Sequence, residues 1–217
     1  MVVAGSLAVD AKPAKRTKSY LTVLMSGSTP TGKFTPKQLG EMQARHISNL
    51  ATLQQQGKLA LAGPLEDPQL RGIAVLTVPT LKHARDCFKN DPLMQTGIMN
   101  SEHWRWWTEP FGFESKPIDP SKIAPYTVAW IRKGPKWDAR QFRDRREAHQ
   151  QIWMMLRQSK TLAIVGEVED KEDRLEFAIF YESDVAKVKA AIRRDPLIAD
   201  GILRADVIKW YTVRGAF

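Results

Sequence analysis

One cysteine and four histidines are the whole supply of thiolate and imidazole metal ligands in this 217-residue chain. Cys87 has no second cysteine to pair with, which excludes an intrachain disulfide and a cysteine-built zinc site. The histidines are scattered without paired ligand spacing, so no metal is expected. No apolar run reaches the roughly 18 residues that a spanning helix needs, so no membrane partner is expected. A glycine-rich phosphate loop, a dinucleotide fingerprint and a nucleophile motif are missing as well. Whatever chemistry the chain performs is expected to come from ordinary side chains, with no cofactor.

Acidic residues are the scarcer charge, 24 against 33 Lys and Arg, for a net +9. Lys12, Lys15, Arg16 and Lys18 against Asp10 put part of that excess at the N-terminus. Much of the rest lies in Arg140-Gln-Phe-Arg-Asp-Arg-Arg146, whose charges fall mainly on the outer side of a predicted helix. Such a run reads as a solvated face rather than a phosphate-binding stripe, and no nucleic-acid partner is expected. Residues 1–17 read as a tail. Val2 to Val9 is a short apolar run, and Val9-Asp10-Ala11 offers a cleavage site, yet the basic n-region is missing. A remnant export signal and a plain tail both stay open. The compartment stays open with them, between cytoplasm, which is slightly favoured, and export.

What is there is a pattern stated twice. Gly63 follows His46 by 17 positions, and Gly166 follows His149 by 17. Asp91-Pro92 leads to Gly97 in 6 steps and to Trp106 in 15, as Asp195-Pro196 leads to Gly201 and Trp210. A period near 100 residues is too long for a solenoid unit and suits a small domain. The reading is an internal duplication: a domain over 18–109, a proline-rich linker over 110–124 and a second domain over 125–217.

Each copy reads as strand, helix, strand, strand, helix, strand. Thr35 and Pro36 open the first helix as N-cap and N1, and Leu39, Met42, His46, Leu50 and Leu53 form a one-sided stripe along it. Phe142, Arg145, His149, Trp153 and Leu156 repeat that stripe in a single predicted helix. The fold class is α+β. A βαββαβ unit makes an antiparallel sheet with both helices on one face, so its other face needs a cover. Two such sheets face to face, related by a pseudo-two-fold axis within the chain, supply it.

His46 and His149 each interrupt an apolar stripe, where an imidazole needs hydrogen-bond partners. Satisfaction by a backbone carbonyl is one reading, and a functional histidine is the other. Asp91 and Asp195 precede proline, and helix capping alone accounts for that placement. If a carboxylate instead lies beside the ring, it orients the imidazole and raises its basicity.

Arg45-His46 with Leu50, Gly57-Lys58-Leu59, Ala62-Gly63-Pro64, Asn90-Asp91-Pro92 and Gly97 together resemble the YCII-related domain family. The resemblance covers nearly all of the first repeat. It implies tandem ferredoxin-like domains forming an intrachain pseudo-dimeric α/β barrel. It also implies a His–Asp dyad at His46 with Asp91 and at His149 with Asp195, and a binding segment of Arg45, Gly63 and Pro64. The second repeat has Glu167 where the first has Pro64, which makes the first site the better candidate. The function this implies is a cofactor-independent acid/base enzyme, of lyase or isomerase type. Its substrate is a small molecule, with aromatic ones among the options, in a pocket walled by Trp and Met. The alternative is a non-catalytic binding or assembly module with a structural His–Asp pair. Opening of the pair onto a cavity favours the first reading, and burial in packing the second.

Overall fold

Tyr20, Thr22 and Leu24 alternate with Leu21 and Val23 along a stretch with no face suited to water, so this strand must be covered on both sides. The computed structural model, which describes residues 16–109, 122–170 and 172–215, covers it with helices outside and a barrel core inside. The first half runs β1 (Thr17–Ser26), α1 (Pro36–Gln55), β2 (Leu59–Pro64), β3 (Leu70–Leu76), α2 (Leu81–Asp86), α3 (Pro92–Gln95) and β4 (Met99–Thr108). The second runs β5 (Ile123–Lys133), α4 (Ala139–Asp144), α5 (Arg146–Gln158), β6 (Leu162–Glu169), β7 (Arg174–Phe180), α6 (Val185–Ile192), α7 (Pro196–Ala199) and β8 (Leu203–Val213).

All eight strands form one antiparallel sheet in the order β2-β3-β1-β4-β6-β7-β5-β8. The halves therefore join edge to edge, in the pseudo-dimeric barrel that the family resemblance implies. At one seam Arg105 to Thr108 of β4 pair with Glu169 to Gly166 of β6. At the other, Leu65 bridges Trp210, and the Glu66 N–H donates to the Lys209 carbonyl at 2.9 Å. The Trp210 Nε1–H donates to the Gly63 carbonyl at 3.0 Å, and the Thr212 hydroxyl to the Ala62 carbonyl at 2.9 Å. These contacts close the sheet into a barrel and leave neither half with a bare edge. Trp106 faces Val168 at the first seam as Trp210 faces Leu65 at the second, which is the pseudo-two-fold relation.

The interior is aromatic. Trp106, Trp130, Trp210 and Phe177 are fully buried there, with the Trp130 and Phe177 rings 4.6 Å apart. Outside, each half packs its helices on its own part of the sheet through a separate apolar cluster. Thr35 caps α1, as its sequence indicates, and also closes a capping box with Gln38.

Three details depart from the sequence reading. The second-half helix expected across the whole stripe breaks at Arg145. Arg145 occupies the slot held by Met42 in α1, and its guanidinium pairs with Asp200 at 2.7 Å. The tail ends before residue 17: Arg16 pairs with Glu167 at 2.7 Å, and Thr17 starts β1 opposite Thr108. Ile123 and Ala124 belong to β5 rather than to the linker. Residues 1–15 of the tail and 110–121 of the linker lie outside the described residues. Among the described residues, no helix is long and apolar enough to cross a membrane, and no group of three or more His, Cys, Asp or Glu could hold a metal.

Candidate functional site

His46 sits on the buried face of α1 with Met42, Leu50 and Leu53. Asp91 caps α3, where its Oδ1 accepts the Leu93 N–H at 3.1 Å. Its other oxygen, Oδ2, lies 2.7 Å from His46 Nδ1 and accepts the Asn49 amide at 3.2 Å. The same carboxylate thus serves as helix cap and as histidine partner, one oxygen to each. Burial pushes the Asp91 carboxyl up, but hydrogen bonds from His46, Leu93 and Asn49 outweigh it and hold the group below its ordinary value. An ionised Asp91 accepts, so Nδ1 carries the proton and the lone pair of a neutral ring sits on Nε2. Nε2 has no hydrogen-bond partner among the described residues.

The His46 ring lines a cavity of about 760 Å³ between α1 and the outer face of the first-half sheet. Leu39, Ile47, Leu50, Leu93 and Met99 give it apolar walls, and Ile123 reaches in from the second half. Gly63, Pro64 and Gly72 line it on the strand side. Two of the three anticipated binding residues are therefore at the cavity. Arg45 is not: it lies exposed on α1 and does not line it. No tryptophan walls this cavity, because those of the first half serve the barrel and its seam.

The second half holds the same pair differently. His149 Nδ1 bonds Asp195 Oδ2, and Asp195 Oδ1 caps α7 through the Leu197 N–H at 2.8 Å. His149 Nε2, however, lies 3.0 Å from Glu176 Oε2, which also accepts the Trp153 indole N–H at 2.9 Å. Burial lowers the His149 pKa, but the two carboxylates outweigh it and raise it to about 9. The ring is an imidazolium with both nitrogens donating, which leaves the Trp153 N–H to Glu176 alone. The neighbouring cavity, about 430 Å³, is lined by Arg16, Arg146, Trp153, Glu167 and Glu176, and His149 does not reach its wall.

Strand register explains the difference. Gly63 pairs with Ile73 and Gly166 with Phe177, so Gly72 and Glu176 occupy equivalent positions. Where Gly72 leaves space over the first imidazole, Glu176 fills it over the second. Leu50 against Trp153 and Ile123 against Arg16 extend the contrast. Glu167, the departure visible in the sequence, is engaged by Arg16 and Arg146 rather than by His149. Asn49, Gly72, Ile123 and Glu176 were not anticipated. Placing β3 over β7 residue by residue would have exposed the Gly72–Glu176 pair.

Residues 21–107 match the YCII-related domain family. No curated protein matches the sequence. Among solved structures, a heme-binding protein from Thermus thermophilus aligns over 92% of this chain and 93% of its own, with a TM-score of 0.53 and 10% identity. A mutant of chlorite dismutase from Candidatus Nitrospira defluvii aligns over 93% and 92%, with a TM-score of 0.59 and 10% identity. At this identity the likeness is one of fold, the dimeric α/β barrel.

Proposed function

We propose, from the premise that residues 21–107 are a YCII-related domain, that the first half is an acid/base catalyst acting on a small apolar molecule. One observation carries the reading. His46 Nδ1 is held by Asp91 while its other nitrogen is left without a partner, on a ring that lines a large apolar cavity. Asp91 fixes the tautomer, and its charge stabilises the imidazolium that forms when Nε2 takes a proton. Return of that proton to a neighbouring atom completes an isomerisation; loss of a leaving group from the neighbouring carbon completes an elimination. The apolar walls strengthen both electrostatic effects by excluding water.

The second half is read as a diverged copy whose histidine has become structural. Its imidazolium, enclosed by Asp195 and Glu176, has no lone pair for a substrate proton. It has none for haem iron either, so the group named for one structural neighbour does not fit there. This half answers to the binding-module alternative. The first half's open cavity favours catalysis.

Screening small aromatic and lactone substrates, with His46→Ala as the control, tests the proposal. Turnover that persists undiminished in His46→Ala would remove its basis.

A further inference from the structure

A second polar cluster lies on the outer face of the first half, away from His46. Thr22 Oγ1 is 2.9 Å from His103 Nδ1, and Ser101 Oγ is 3.0 Å from His103 Nε2. Thr22 is fully buried, whereas Ser101 and His103 line a hollow of about 280 Å³ with Arg85, Lys89, Phe88 and Met94. The fold does not require this row. Thr22 pairs with His103 and Leu24 with Ser101, as Ala129 pairs with Val207 and Ile131 with Ala205, so the second half fills the same three positions with Ala129, Val207 and Ala205. Three polar groups where the sister half is apolar cost desolvation that packing does not return.

We propose that this hollow binds an oxyanion, through Arg85, Lys89 and the hydroxyl of Ser101, with Ser101 set by His103 and Thr22. Arg85 and Lys89 make no ion pair among the described residues, although Lys89 shares its field with Asp86, which is already paired with Lys82. The acidic groups on the other side of His103 are occupied: Asp170 and Glu102 both meet Arg174, which leaves Glu172 in the adjoining hollow. Burial and the Arg85 charge hold His103 at about 4, so the ring is neutral and carries one proton. That proton has two places. With Nδ1–H donating to Thr22, the Ser101 O–H is used on Nε2. With the Thr22 O–H donating to Nδ1, Nε2–H donates to Ser101, whose own proton is then free for a ligand. An anion beside Arg85 selects the second arrangement.

The test is a titration of the ¹⁵N-labelled protein with sulfate, and in a second arm with phenyl phosphate, reading the His103 ring nitrogens. The expected result is a saturable shift towards the Nε2–H tautomer. It should weaken roughly tenfold or more in Arg85→Gln, vanish in Ser101→Ala and persist in His46→Ala. Tighter binding of phenyl phosphate assigns the site to the head of an organic molecule, and equal binding to a free oxyanion. A tautomer unmoved by both anions, or moved equally in Arg85→Gln, overturns the proposal.

Discussion

Glu176 sets its Oε2 3.0 Å from Nε2 of His149, at the strand position that Gly72 holds in the first half. Glu176 thereby encloses His149, while His46 lines an open cavity. The same pair has a consequence for stability. His149 is raised from 6.5 to about 9 in the fold, against burial, by Asp195 and Glu176. A raised pKa stabilises the fold fully below about 6.5, and that contribution is lost as pH rises through about 9. The expected loss across this window is on the order of 3 kcal/mol. Denaturant melts at a series of pH values should show it. Glu176→Gln should flatten the slope, and an unchanged slope would place its origin elsewhere.

The two histidines should separate in activity. His46→Ala is expected to abolish any turnover found in the substrate screen, and His149→Ala to leave most of it while lowering the melting temperature. The reverse ranking would move the active site to the second half.

Asp91 acts on both cap and ring, so Asp91→Asn should be felt twice. The amide cannot hold Nδ1–H as the carboxylate does, and a fall in kcat of roughly 10²–10⁴-fold is expected with little change in KM. Stability should drop by about 1–3 kcal/mol from the weakened buried hydrogen bonds. A variant with full kcat would leave Asp91 as a cap and nothing more.

Local features were the legible ones. The Thr35-Pro36 helix start and the Asp-Pro caps rest on residues within one turn, the His46 stripe rests on a regular helical period, and the sequence carries all three openly. Strand pairing is not local. That β4 meets β6 and β2 meets β8 follows from closing the sheet, and no spacing in the chain announces it. The open and blocked sites depend on Gly72 and Glu176, 104 positions apart and made equivalent only by register. The broken second-half helix had a visible cause in Arg145 on the apolar stripe. A charge there can be tolerated by turning outward, and sequence does not say whether the backbone turns with it.

Gly63 was expected as a binding residue, and its surroundings give it a second duty. A Cβ added there would meet the Tyr211 carbonyl oxygen at 1.7 Å, which belongs to the facing backbone of β8 and cannot swing away. Gly63→Ala should therefore part the β2–β8 seam, break the Trp210 bond to the Gly63 carbonyl and bare two strand edges. A stability loss above about 3 kcal/mol is expected. Amide exchange should quicken on β2 and β8 while the β4–β6 seam stays protected. Gly166→Ala, whose Cβ would meet the Trp107 carbonyl oxygen at 2.3 Å, should give the mirror pattern. Only the first of the two variants should also lose ligand from the His46 cavity, because Gly63 lines that cavity and Gly166 does not. Normal exchange on β2 and β8 in Gly63→Ala, with ligand binding lost, would make the glycine a ligand contact rather than a seam residue.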